Sequence, residues 1–378
     1  MKVDFFRHNI DEDDIQRVVD VLRAGLSTAD DTMHEFESRF AEFLGIPHII
    51  GMSSCTEALQ LTLLAFGVGP ADEVITTPMT FCATSNAILH VGARPIFVDV
   101  EPTTGNIDPD RIESAITRRT KAILPVHLYG QMCDMKRIRG IADNHHLVVI
   151  EDAAHCLEGE REGIKPGGLG DAACFSFYAT KNITCGEGGA VATASQEHAS
   201  ILRHLIQHRV DQSGIDAAQG LGLPPDAIPG GWYSGMNVIQ AALLIGQLDR
   251  ILTLWRRREQ IAQMYRESFE KVDAMWLLAD GYNIRHARHL FTIHVPADVR
   301  SDFLASLQER GVGVSVNYQP VHLYEFYRRK FGYNPGDFPV AEKIGSETIT
   351  LPLYPLMTDD EVAYVIESVK AEVVRLLD

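Results

Sequence analysis

Residues 147–193 read LVVIEDAAHCLEGEREGIKPGGLGDAACFSFYATKNITCGEGGAVAT. Short apolar or β-branched runs at Leu147–Glu151, Ala173–Phe177 and Ala190–Thr193 predict strands. LVVI carries no polar position, as a strand buried on both faces requires. Upstream, Val74–Thr76, Pro95–Val98 and Ala122–Val126 repeat the pattern, with ILPV again apolar throughout. Helical stretches near Thr56–Phe66, Thr80–His90, Pro109–Ile116 and Met135–His145 separate them. This alternation predicts an α/β fold with a mainly parallel central sheet and helices on both faces.

Outside that block the spacing changes. Ile15, Val18, Val19 and Leu22 follow an acidic turn at helical spacing, and Met33, Phe36, Phe40 and Phe43 do the same up to Gly45, a C′ glycine. Val210–Met236 is a Gly- and Pro-rich excursion (LGLPPDAIPGGWYSG), of a length that usually marks a functional or a disordered loop. A helical region from about Val238 to Val272 follows, then strands at Phe291–Val295 and Gly313–Asn317 mixed with helices. Thr358 and Glu361 form a capping box before Val362, Val365, Ile366 and Val369. A chain of 378 residues exceeds the roughly 250–300 that one core serves, so two domains are expected. The division falls at 1–245, a large α/β domain, and 246–378, a smaller α+β C-terminal domain.

The formal net charge of -17 argues against nucleic acid and anionic membranes as partners. The six cysteines are scattered without C-x-x-C spacing, which fits a reducing compartment. The opening MKVDFFRHNIDEDD has no apolar signal core, and no run of about 18 apolar residues occurs, so a cytoplasmic protein is expected. The histidines are dispersed, and adjacent His145 and His146 point to different helix faces, so no metal site is expected.

In open α/β sheets, ligands bind beyond the carboxyl ends of the strands. Asp152 follows LVVIE, with small alanines beside it that leave room for a flat ligand. Ser176 lies within the end of ACFSF, and Lys181 follows in a loop before Gly186, Gly188 and Gly189. Ser54, Cys55 and Thr56 open a helix, whose free N–H groups and dipole favour a phosphate. Taken singly, a loop lysine is a solvated charge, a post-strand Asp is a turn residue, and Ser-x-Thr is a cap. Their order on successive strand ends supplies what pyridoxal phosphate (PLP) needs: a lysine amine for its aldehyde, an acid for its ring nitrogen, and a phosphate cradle. The freed lysine can then act as general base.

EDAAH (151–155), GDAACFSFYATKNITCGEGGAV (170–191) and LPVHLYGQMCDM (124–135) resemble the DegT/DnrJ/EryC1/StrS family of nucleotide-sugar aminotransferases. So do TTPMTFCATSNAILHVGARPIFVDVEPTTGNID (76–108), NVIQAALLIGQL (237–248), QPVHLYEFYRRKFGY (319–333), FPVAE (338–342) and LPLYPLMTDDE (351–361). The resemblance implies PLP fold type I, of the aspartate-aminotransferase kind, and a homodimer with each active site at the subunit interface. It implies that Lys181 binds the cofactor covalently and is catalytic, and that Asp152 pairs with the ring nitrogen. Ser176, Thr56 and the Cys55 amide would hold the phosphate, Phe81 would stack on the ring, and His155 would stand near the ring's phenolic oxygen. Pyridoxamine phosphate would be the other cofactor form.

The sequence departs from the family at several points. Relatives commonly read G-Y-N-Y-R-M where this chain has Gly231-Trp232-Tyr233-Ser234-Gly235-Met236, so Tyr233 replaces an Asn that reaches across the dimer to the phosphate. A tyrosine hydroxyl can still donate to phosphate. Cys55 replaces a glycine, Ser27-Thr28-Ala29-Asp30 replaces T-T-G-P, and Asn317 replaces a histidine. The expected reaction moves an amino group from glutamate or glutamine to a keto-sugar, with a nucleotide-linked keto-deoxysugar as the first reading. A keto-cyclitol acceptor, a sugar dehydratase and a non-catalytic regulatory homologue are the other readings. Lys181 argues against the dehydratases, which tend to carry histidine there, and Lys181, Asp152 and Ser176 together argue against the non-catalytic one.

Overall fold

The computed structural model describes residues 1–24, 31–206 and 231–376. Ser27–Asp30 and most of the 210–236 excursion therefore lie outside the described residues, while 231–236 lie within them.

Helices α1 (Glu12–Ala24) and α2 (Asp31–Leu44) lead into β1 (His48–Met52) and α3 (Cys55–Ala65). Then come β2 (Glu73–Thr76), α4 (Cys82–His90), β3 (Arg94–Phe97), α5 (Pro109–Ala115), β4 (Thr120–Leu124), α6 (Met135–His145) and β5 (Val148–Asp152). A two-residue β6 (Glu160–Arg161), β7 (Ala172–Ser176), β8 (Gly189–Thr193) and α7 (Gln196–Leu205) complete this part. The seven-stranded sheet runs β1-β8-β7-β5-β4-β2-β3. From β7 to β3 every pairing is parallel. Only β8 runs against its neighbours, β1 and β7. The expected mainly parallel sheet is thus present, with β1 as a strand that the sequence reading did not mark.

Strand alternation assigns the two faces. Ile50, Val74, Leu124, Ile150, Cys174 and Val191 face α3, α4 and α7 in one apolar layer. Their neighbours Ile49, Phe175, Ala190 and Ala192 face α2 and the helix Val238–Asp249. Ile75, Ile123 and Val149 face α5 and α6. Local signals start these helices: Ser54 accepts from Glu57 N, and Asp108 caps α5 with Pro109 in its first turn. Gly45 ends α2 at φ 75°.

The helical region 238–272 is two helices, Val238–Asp249 and Ile251–Phe269, meeting at 64°. Arg250 sits at the break and is tied to α1, donating to Asp14 Oδ2 at 2.7 Å and to Asn9 O at 3.1 Å. A Cβ on Gly246 would lie 2.2 Å from Asp14 Oδ1, so α1 crosses this helix where a side chain is missing. We propose that the large unit 1–245 and the smaller unit 246–378 meet in this bend region.

In the C-terminal part, strands β10 (Phe291–His294) and β11 (Thr348–Leu351) pair antiparallel, after a two-residue β9 (Ile284–Arg285). They pack with the helices Ile251–Phe269, Arg300–Glu309 and Asp359–Leu376 through Tyr265, Phe303, Val365 and Val369. The capping box forms: Thr358 N donates to Glu361 and Glu361 N to Thr358 Oγ1. The expected strand Gly313–Asn317 does not form. Backbone groups at its start are taken by the N-terminal segment, with Gly313 N on Val3 O, and only Ser315 bridges to Thr350. Gly313 also lies so close to Phe5 that no Cβ fits there.

Candidate active site

The parallel strands deliver their carboxyl ends to one edge of the sheet. At the tip of β5 two adjacent carboxylates point to opposite faces. Glu151 accepts from Gly170 N at 2.8 Å and pairs with His127 Nε2 at 2.7 Å. Because Cys133 N donates to His127 Nδ1, the ring proton is on Nε2 and goes to Glu151. Asp152 is 4% exposed. Its Oδ2 accepts from Thr84 Oγ1 at 2.7 Å and its Oδ1 from Ala154 N at 3.1 Å. Burial raises the Asp152 pKa; the Thr84 and Ala154 hydrogen bonds and the charge of Lys181 pull against it.

Lys181 lies in the turn after β7, with its N–H on Tyr178 O at 2.9 Å. Burial pushes its pKa down to about 8, while Cys55 and Asp152 oppose the shift. Its ammonium has no hydrogen-bond partner among the described residues. Gln247 pins this turn from the helix Val238–Asp249, exchanging hydrogen bonds with Thr184 N and O at 2.9 and 2.7 Å. Ser176 Oγ accepts from Tyr178 N at 3.4 Å.

Ser176 pairs across the ladder with Gly189, and a Cβ on Gly189 would lie 2.5 Å from Cys55 N. Only glycine lets β8 pass so close to the start of α3. Ser176, Cys55 and Thr56 thereby come together around one helix N-terminus. The Cys55 thiol is buried, which raises its pKa well above the ordinary value and keeps it neutral. Segment 231–236 is stitched alongside: Ser53 N donates to Ser234 O at 2.7 Å, and Ser234 Oγ to Glu57 Oε1 at 2.9 Å. Tyr233 on it is 72% exposed.

Phe81 precedes α4 and is 56% exposed, with its ring 6.0 Å from that of Tyr318. Tyr318 OH meets His155 Nε2 at 3.0 Å. The His155 ring lies tilted against that of His289, with centroids 4.4 Å apart, and its Nδ1 is buried without a partner among the described residues. Burial and then the nearby Lys181 charge drive the His155 pKa well below the ordinary value.

The structure thus gathers Lys181, Asp152, His155 and Cys55 at one place, with Ser176, Thr56 and Phe81 around it; Tyr233 lies at its exposed margin. Sequence reasoning passed over Thr84, Tyr318, His289 and Asn182. Thr84 stands three residues after Phe81, on the first turn of α4, and that spacing could have marked it. Tyr318 and His289 come from segments more than 100 residues downstream and carry no local signal. The residues fit PLP: a buried carboxylate that has only neutral hydrogen-bond donors, a lysine with a lowered pKa, an orphaned imidazole nitrogen and a tight helix N-terminus. Among the described residues, no group of three or more His, Cys, Asp or Glu is placed to hold a metal ion, and no single helix is long and apolar enough to cross a membrane.

Comparison with known proteins agrees with this chemistry. The profile of the DegT/DnrJ/EryC1/StrS aminotransferase family matches residues 8–370. The spore coat polysaccharide biosynthesis protein SpsC of Bacillus subtilis is 41% identical over 370 residues, covering 96% of this chain and 94% of its own. The sugar aminotransferase Spr1654 of Streptococcus pneumoniae, solved in its PMP form, superposes with a TM-score of 0.92 at 30% identity over 100% of this chain and 99% of its own. PseC of Helicobacter pylori, an aminotransferase of pseudoaminic acid biosynthesis, gives 0.89 at 29% identity over 100% of both chains.

Proposed function

Because the chain belongs to the DegT/DnrJ/EryC1/StrS aminotransferase family, whose members here include PLP-dependent sugar aminotransferases, we propose that it transfers an amino group from glutamate or glutamine to a nucleotide-linked keto-sugar. It is a PLP-dependent transaminase of fold type I, with PLP and pyridoxamine phosphate as its cofactor forms.

The observation that carries it is Lys181, an amine with a pKa of about 8 set among Asp152, His155 and Cys55. When bound, the cofactor supplies an electron sink for the carbon that loses its proton. Lys181 holds the cofactor and then takes and returns that proton, since an amine with this pKa is partly neutral near neutral pH. Asp152 keeps a charged carboxylate for the ring nitrogen. Ser176, Thr56 and the Cys55 amide hold the phosphate, Phe81 covers a ring face, and His155 serves the phenolic oxygen. Nucleotide linkage is supported by the cleft that opens from Phe81 past Tyr318 and Tyr324 to Arg300, which offers aromatic faces and a cation for a diphosphate. SpsC and PseC both bear names from the building of sugar polymers or acids. The exposed rings of Phe81, Tyr178 and Tyr233 at the margin of the site support a homodimer, in which Tyr233 reaches the partner's phosphate. A cytoplasmic location accords with the scattered free cysteines.

The test is the absorbance spectrum of purified protein before and after L-glutamate, in the wild type and Lys181→Ala. A visible band that glutamate bleaches, and that is lost in the variant, supports the first half-reaction. A protein that stays colourless when soaked in PLP overturns the reading.

A further inference from the structure

Thr80 lies in the loop between β2 and α4, and Thr84 stands one turn later on α4. Both are buried. Their hydroxyl oxygens lie 2.8 Å apart, and Thr84 Oγ1 lies 2.7 Å from Asp152 Oδ2. Among the described residues Thr80 Oγ1 has no other hydrogen-bond partner. The loop that carries Thr80 is itself fixed. Met79 N donates to Thr77 Oγ1 at 3.0 Å, and Val321 N, from the C-terminal part, donates to Pro78 O at 2.8 Å.

These contacts run in one direction. A carboxylate only accepts, so the single hydrogen of Thr84 lies on its contact with Asp152 Oδ2. Thr84 Oγ1 can then only accept from Thr80, which donates. A hydroxyl that accepts one hydrogen bond donates its own more strongly, by roughly 10–30%. A proton on Asp152 Oδ2 would reverse both contacts and leave the Thr80 hydrogen without an acceptor in a buried place. A proton on Oδ1 would keep the direction but end the chain on a neutral oxygen, a weaker acceptor. Either way the chain favours the charged carboxylate.

We infer that Thr80 is a positioning residue for Asp152, the far end of a one-way hydroxyl chain that acts through Thr84 to keep the carboxylate charged. Its bearing on the reaction rests on Asp152 being the partner of the cofactor's ring nitrogen. The chain works against burial, which raises the Asp152 pKa, and brings no cation that would compete with the ring.

The readout is the pH midpoint of the Asp152 carboxyl, followed by NMR in the full chain freed of PLP and labelled with carbon-13 at its aspartate carboxyls. The Asp152 signal is the one missing from Asp152→Asn. The charged or titratable groups that face Asp152 are Lys181, His127, Cys55, Cys174 and Tyr318, and none of them is altered. Thr80→Val keeps the shape and removes the hydroxyl. It is expected to raise the midpoint by about half a pH unit, less than Thr84→Val does, and Thr80→Ser to leave it within about 0.2 of the wild type. Added to Thr84→Val, Thr80→Val should move the midpoint no further, because the chain is already cut. An unchanged midpoint in Thr80→Val overturns the inference. So does an equal rise when Thr80→Val is added to Thr84→Val, or a rise in Thr80→Ser as large as in Thr80→Val, since packing would explain either. Thr80→Ala carries the same expectations if Thr80→Val fails to fold. In PLP-loaded protein the acidic limb of the half-reaction with L-glutamate should move by about the same half unit. If the carboxyl midpoint moves and this limb does not, the reading of Asp152 at the ring nitrogen fails while the chain stands. If neither moves, only the role of Thr80 fails.

Discussion

Asp152, at the carboxyl edge of the sheet, is 4% exposed, and Glu372, on the C-terminal helix Asp359–Leu376, is 1% exposed. Their surroundings differ. Glu372 receives Arg310 Nε and Arg375 Nε on its two oxygens, each at 2.6 Å. Burial would raise its pKa, but Arg375 and Arg310 outweigh it and the value is lowered. Asp152 receives only a hydroxyl and an amide, and burial wins. A buried carboxylate with no cation in contact is costly. Such a group in a cleft marks a site whose cation comes with the ligand. The C-terminal part settles its buried carboxylates within the chain; the sheet edge leaves one unsettled for a protonated ring.

The largest effect that would test this contrast is Asp152→Asn. The amide keeps the shape, with its oxygen accepting from Ala154 N and its Nδ2 donating to Thr84 Oγ1, whose hydroxyl can turn to Thr80, but it carries no charge. We expect the single-turnover rate with L-glutamate to fall on the order of 10²–10³-fold with PLP still bound. Stability should not fall, since a neutral amide is easier to bury than an unpaired carboxylate. A rate within threefold of the wild type would remove Asp152 from the chemistry.

Thr84→Val sharpens the same comparison by removing the Oγ1 donor from Asp152 Oδ2. A hydrogen bond to a charged group contributes about 1.5–3 kcal/mol. Its loss raises the Asp152 pKa further, by about one to two units. The protonated carboxyl cannot hold the ring's proton, so the acidic limb of the half-reaction rate should move to higher pH by that amount. A pH–rate profile that superimposes on the wild type would show that Thr84 only packs.

The same contrast explains what was legible in the sequence. Strands β2, β4, β5 and β7 declared themselves because a strand buried on both faces carries a nearly unbroken apolar run. Strand β1, HIIGM, was not marked: it contains Gly51 and takes its place only by pairing with β8, more than 130 residues later. The bend at Arg250 was invisible because the carboxylate that Arg250 binds there, Asp14, lies on another helix. Of the site, motif resemblance supplied Phe81, His155 and Tyr233, while Asp152, Ser176, Lys181, Cys55 and Thr56 were readable from strand ends, the loop after one of them and a helix start. Thr84, His289 and Tyr318 were not, since each acts through a partner that only the fold brings near. Local signals reveal where chemistry sits on the scaffold; the groups that tune it arrive from elsewhere.

Glu372→Gln gives the smallest effect and tests the other half of the comparison. The folded pKa of Glu372 lies below its unfolded value, so its stabilisation is fully present above the unfolded pKa of about 4.3 and is lost as pH falls through the folded one. Both arginines remain partly exposed, so solvent screens the pair and a loss of about 1 kcal/mol at pH 7 is expected. Urea denaturation should show that gap narrowing as pH drops below about 4, because the wild type then loses the same charge. The half-reaction rate should be unchanged. Asp152→Asn should do the reverse, moving the rate and sparing the stability. If both substitutions moved the same quantity, the division between charge settled by the fold and charge kept for the ligand would not hold.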